Sequence, residues 1–191
     1  IVIERVSPGV DDGAFPAKAV AGQQVSFGAD IFADGHDQLA ACVVWQRRGE
    51  RSWHDTPLLP AGNDRWQGQF VPEAPGLYRY AVEAWLDPWA SYRDELRKKF
   101  EAGRDLALEL EEGRQLVAAA ARRSADQALA AWAAQLTAAA DEEARTHLLD
   151  PQADAIMRAA RAIERRFLVR SAPLELDVQR LQAGFAAWYE L

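Results

Sequence analysis

Asp34, His36 and Asp37 stand close together in "FADGHDQLAA", and two carboxylates beside an imidazole can hold a cation or move a proton. A hard-cation site needs about six oxygens from spaced positions, and no second group of ligands accompanies this one. Asp and Gly also supply turn geometry, so the stretch reads as a connection between two apolar, strand-like runs. His54 and His147 lack the one-turn spacing of zinc ligands. Cys42 lies in "LAACVVW" as a small buried hydrophobe; a lone cysteine leaves no disulfide and no thiolate metal site. The chain is rich in acids, but nothing nominates a pair for acid and base work. No G-x-S-x-G elbow, P-loop or G-x-G-x-x-G occurs. The expectation is no catalytic residue, no metal and no cofactor.

The aromatic residues offer different chemistry. Trp45, Trp53, Trp66, Trp85, Trp89 and Tyr92 fall in or beside the strand-like region, and an exposed indole is a flat apolar platform on which a sugar ring can stack. Aromatics on strands more often fill a core or an interface. Trp66 alternates with Phe70 and reads as core, whereas Trp85 lies opposite the face of Tyr78 and Tyr80. Trp85, Trp89 and Tyr92 are therefore the candidates for stacking against a sugar ring.

These side chains must be placed by strands first and helices second. "QVSFGADIF" alternates, with Val25, Phe27, Ala29 and Ile31 on one face, and "LYRYAVEAWL" does the same with Tyr78, Tyr80, Val82, Ala84 and Leu86. "RWQGQF" sets Trp66, Gly68 and Phe70 together. This is the period of half-buried strands, and the turn-forming stretches at Ser7, Gly62 and Pro72 separate them. At Asp87-Pro88 the pattern becomes helical, with Asp87 as N-cap and Pro88 at the first position. Tyr92, Leu96 and Phe100 then form one stripe, and Glu95 can pair with Lys98 or Lys99. A second helix runs from Asp105, with a break or bend open at Gly113. Ser124 and Gln127 fit a capping box ahead of Leu129, Trp132, Ala133 and Leu136. Asp150-Pro151 opens another helix carrying Ile156, Ala160, Ile163 and Phe167. After Pro173, "LELDVQRL" returns to alternation, and this strand should pair with the early ones. The fold expected is α+β: an antiparallel immunoglobulin-like β-sandwich over 1–87, an inserted α-helical bundle over 88–171, and a returning strand with the start of a linker over 172–191.

A net charge of −7 provides no field for phosphate backbones, and no apolar run approaches the roughly 20 residues of a membrane helix. Neither nucleic acid nor a membrane is an expected partner. The chain begins at Ile1 without a basic and apolar leader, which suggests a piece of a longer, cytoplasmic protein.

The blocks "IERVSPGVDDGAFPAKAVAGQQV", "ADIFADGHDQLAA", "GNDRWQGQF", "GLYRYAVEAWLDPWASYRDELRKKFEAG" and "FAAWYEL", in this order, resemble the N-terminal region of the α-1,4-glucan:maltose-1-phosphate maltosyltransferases. The resemblance is close to about residue 103, weak through the alanine-rich helices, and returns at the end. It implies a parent enzyme of the α-amylase superfamily that moves maltosyl units from maltose 1-phosphate onto α-1,4-glucan with retention, in glycogen biosynthesis. It further implies a sandwich domain with a helical insertion and a part in homodimer contacts. The catalytic carboxylates of that family belong to a barrel, which would follow Leu191, so none is carried over here. Trp188-Tyr189-Glu190 resembles the lead-in to that barrel. The implied partners are that barrel and a second copy, with α-glucan as the alternative.

Overall fold

A computed structural model describes residues 1–185; the Trp188-Tyr189-Glu190 stretch lies outside the described residues. Seven strands come first: β1 Val2–Ser7, β2 Ala17–Val20, β3 Val25–Phe32, β4 Leu39–Arg47, β5 His54–Pro60, β6 Arg65–Phe70 and β7 Gly76–Leu86. Five helices follow: α1 Pro88–Glu101, α2 Ala107–Arg123, α3 Gln127–Ala138, α4 Asp141–Leu149 and α5 Pro151–Ala159. Strands β8 Arg166–Arg170 and β9 Leu174–Gln179 follow the helices, and a short 3-10 turn, Leu181–Phe185, comes after them. The architecture is mixed α+β. It divides into a strand unit (1–35, 39–85 and from 167 onward) and a helical unit (36–38 and 86–166).

In the strand unit the order is β1-β3-β6-β5-β4-β7-β9-β2, with β8 also on β7. The returning strand does meet early ones: β9 runs antiparallel to β7 and parallel to β2, with Ala17 opposite Leu176. That parallel pair corrects the expectation of a wholly antiparallel arrangement. The sheet curls, because the rings of Phe27 on β3 and Tyr80 on β7 meet edge to face at 5.0 Å although three strands separate them in the order. The alternating apolar residues explain the curl. Phe27, Ala29, Ile31, Val43, Tyr80, Val82, Leu176 and Val178 share one core, and burial of each large apolar side chain contributes about 1.5–3 kcal/mol. Trp45 stacks on Phe70 at 4.3 Å, and Phe70 on Phe27 at 5.1 Å. Trp66, expected in the core, is only half-buried at its margin and donates its indole N–H to the Ile31 carbonyl at 3.2 Å. The other face of β7 is covered too, with Ala81 and Trp85 packed on Cys42 and Val44.

In the helical unit, α1 starts as its sequence dictates, the Asp87 carboxylate accepting from the Ala90 N–H at 2.9 Å. Phe100 leaves the expected stripe: it is 44% exposed under the Arg145 guanidinium at 4.9 Å. Helix α2 passes unbroken through Gly113. The cap of α3 is Asp126, accepting from the Leu129 N–H at 2.8 Å. Ser124 instead ends α2, so the capping box read at Ser124 and Gln127 does not form. Asp150 opens α5, accepting from the Gln152 N–H at 2.7 Å. That helix stops at Ala159, and Arg161 has φ +48°. The chain therefore leaves helical geometry before Ile163, and Phe167 becomes part of a strand inside the range assigned to helices. Trp89, Leu96, Leu110, Val117, Leu129, Trp132, Leu136, Leu148 and Met157 form the core of this unit.

Candidate functional site

The connection from Asp34 to Asp37 is exposed, and Gly35 has φ +103°, a value L-residues rarely adopt. It behaves as a turn. Its downstream end is tied to the helical unit: the Gln38 N–H donates to Ser91 Oγ at 2.8 Å, and the Gln38 carbonyl accepts from the Asp87 N–H at 2.8 Å. One donor, the Asp87 N–H, and one acceptor, Ser91 Oγ, at the start of α1 are thereby satisfied. Among the described residues, no group of three or more His, Cys, Asp or Glu side chains is placed to hold a metal.

Trp85 is 8% exposed within the strand unit, while Trp89 and Tyr92 are 1% and 5% exposed within the helical unit. None presents a ring face to solvent, which corrects the expectation of an open aromatic platform. The physical reason is the apolar packing around them. Trp89 meets Trp132 edge to face at 6.2 Å and stacks near Tyr92 at 5.7 Å. The Tyr92 hydroxyl donates to the Glu109 carbonyl at 2.9 Å, and burial first, then the Glu112 and Glu109 charges, push its pKa well up. The buried indole N–H of Trp89 has no hydrogen-bond partner among the described residues. Beside Trp89 runs a cleft of about 570 Å³ whose lining includes Gln115, Leu116, Arg122 and Met157. Among the described residues the exposed indole is Trp53, 42% accessible, with the Arg170 guanidinium 5.1 Å from its ring centre. Its place in "RRGERSWHD", an aromatic amid charges, was the available signal.

The buried carboxylates are committed to pairing. Asp30 meets Arg5 and Arg65, Glu83 meets Arg170 at 2.8 Å, Asp87 caps α1 and meets Arg158 at 3.4 Å, and Glu109 meets Lys99. Burial alone would raise Asp30, but the hydrogen bonds and charges of Arg65 and Arg5 hold it below the ordinary carboxylate value. Asp87 is raised, burial outweighing the Ala90 N–H and Arg158. Each of these acids is engaged by a cation, and two share it with a second acid: Arg158 also meets Asp154 at 2.7 Å and Lys99 also meets Glu95 at 2.6 Å.

The family profile described as "Alpha-1,4-glucan:maltose-1-phosphate maltosyltransferase, domain N/S" matches residues 1–180, straight through the alanine-rich helices where the blocks of resemblance thin out. Proteins with the name alpha-1,4-glucan:maltose-1-phosphate maltosyltransferase are similar over the whole chain. That of Pseudomonas aeruginosa is 43% identical over 195 residues, 29% of its own length. That of Burkholderia pseudomallei is 41% identical over 198 residues, 17% of its length, and that of Rhodospirillum rubrum 40% over 210 residues, 30% of its length. The chain thus spans less than a third of these relatives.

Proposed function

The chain belongs to the α-1,4-glucan:maltose-1-phosphate maltosyltransferase family, and on that premise we propose that it is the non-catalytic accessory and dimerisation module of such an enzyme. In this reading the strand unit acts as an immunoglobulin-like sandwich and the helices as its insertion. Together they frame the catalytic barrel of a cytoplasmic, retaining transferase that extends α-glucan. The observation that carries the reading is the full-length match to a part covering 17–30% of the relatives. The ion pairing of the buried acids supports it. The test is incubation of the 191-residue chain with maltose 1-phosphate and a malto-oligosaccharide acceptor. No phosphate should appear above a protein-free control, and release would overturn the reading. Sedimentation of the full-length enzyme and of the same enzyme lacking this module tests the dimerisation role; a dimer that persists without it would remove that role.

One observation favours a second reading, an α-glucan-binding module using Trp89 and Tyr92. The unpartnered indole N–H of Trp89 beside its cleft is a donor that a sugar hydroxyl would satisfy. Titration with maltoheptaose should then change tryptophan fluorescence and the amide shifts around Trp89. Unchanged spectra would remove this reading.

A further inference from the structure

The cleft beside Trp89 lies wholly within the helical unit. Helix α2 supplies one wall through Glu112, Leu116, Ala119, Arg122 and Arg123, whose steps of three and four set them along one face of the helix. Val117 and Ala120 of the same helix turn into the core instead. The lining continues with Met157 of α5 and with Ile163. The segment after α5 is fastened to α2, because the Arg123 guanidinium donates to the Ala162 carbonyl at 3.1 Å.

Charge is spread unevenly along this cleft. Arg122 is exposed and makes no hydrogen bond or ion pair among the described residues, whereas Arg166 is neutralised by Glu164 at 3.1 Å. Arg122 and Arg123 end α2, where the helix itself carries a partial negative charge of about half a unit. That end of the cleft therefore keeps a positive charge of about one to two units, enough for one carboxylate. Glu112 lies ten positions earlier, about 15 Å along the axis, and salt screens exposed charges beyond roughly 8 Å. Between these ends the half-buried Leu116, Ala119 and Ile163 present an aliphatic surface. A neutral sugar could accept from the Trp89 N–H but would leave Arg122 without a counter-charge. Inorganic phosphate would meet the guanidiniums but leave the aliphatic stretch uncovered.

We propose that this cleft binds an aliphatic monocarboxylate, its carboxylate on Arg122 and Arg123 and its chain along Leu116, Ala119 and Ile163. The site rests on neither functional reading above. Octanoate is the probe, titrated into the 191-residue chain and followed by amide and indole N–H resonances. Saturable shifts are expected at Leu116, Ala119, Arg122, Ile163 and the Trp89 indole, with a Kd in the millimolar range for a ligand of this size. Acetate, which lacks the chain, and octan-1-ol, which lacks the charge, should each bind about tenfold more weakly. Arg122→Gln should weaken octanoate about tenfold through loss of a charge-assisted contact, and its spectrum away from the cleft reports that the fold is kept. Glu112→Gln should leave the affinity unchanged. Octan-1-ol or the Arg122→Gln protein matching the parent with octanoate overturns the proposal, as does inorganic phosphate binding more tightly than octanoate. Unchanged spectra with octanoate overturn it too. Shifts at these residues with maltoheptaose and none with octanoate overturn it in favour of the glucan-binding reading, and the phosphate-release test of the accessory role is independent of either result.

Discussion

Gly113 and Tyr92 are fitted to one another. A Cβ at Gly113 would strike the Tyr92 hydroxyl and lie 2.7 Å from its Cζ and 2.8 Å from Leu148 Cδ1. Alanine would otherwise help a helix by about 1 kcal/mol over glycine, but overpacking a tight core costs about 1–3 kcal/mol. Gly113→Ala should therefore lower stability in urea titration despite its better propensity, and should cost less in a Tyr92→Phe background because the hydroxyl is gone. A Gly113→Ala protein more stable than its parent would show that α2 has room to move. Two buried acids titrate in opposite senses. Asp30 sits below its unfolded value of about 3.9 under the influence of Arg65 and Arg5. Its contribution is thus complete above that value and lost as the pH falls through the folded one. Asp87 sits above it, so acidification through its folded value relieves a penalty. Asp30→Asn should make the acid decline of Tm shallower, and Asp87→Asn, which still caps α1, should make it steeper. Parallel profiles for the two variants would contradict both assignments.

At the scale of elements, the cap of α3 distinguishes what the chain suggests from what it forms. Both Ser124 and Asp126 are good caps by type. Asp126 takes the position because α2 continues through Arg123, leaving Ser124 in extended geometry with φ −94° and ψ 145°. Asp126→Ala should cost about 1 kcal/mol in thermal or urea unfolding, and Ser124→Ala distinctly less, since its hydroxyl only accepts from the Asp126 N–H at 3.3 Å. The reverse order would restore the capping box. The elements readable in the sequence are those with their own local signal: the alternation of β3, β6, β7 and β9, and the Asp-Pro starts of α1 and α5. β1, β2, β4, β5 and α4 lacked one, or had it mixed with neighbours. β4, for instance, is covered on both faces, by Ala41 and Val43 on one side and Cys42 and Val44 on the other, so its run "LAACVV" is uniformly apolar. The aromatic candidates were legible as a set but not by exposure. Burial of Trp89 depends on Trp132, 43 positions away in the chain, which no local pattern reveals.

At the scale of the molecule, each unit has a core of its own. The cluster around Phe27, Tyr80 and Leu176 contains strand-unit residues only, and that around Trp89, Val117 and Leu148 helical-unit residues only. The helical unit is, apart from 36–38, one continuous stretch from Leu86 to Arg166. It leaves the sheet at the end of β7 and re-enters it at β8, and these two strands are paired. Its two ends therefore issue from neighbouring strands, the circumstance in which a segment can be replaced by a short turn without pulling strands apart. Replacing 88–165 by a short glycine-rich turn should remove most helical far-UV ellipticity. It should leave a cooperative transition and near-UV signals from the stacked Trp45, Phe70 and Phe27. The start of α1 is lost along with its ties to Gln38, so some loss of stability from the 36–38 segment is expected even where the sheet survives. A deletion protein with no cooperative transition and no near-UV signal would show that the strand core, although built from its own residues, needs the helices in order to fold.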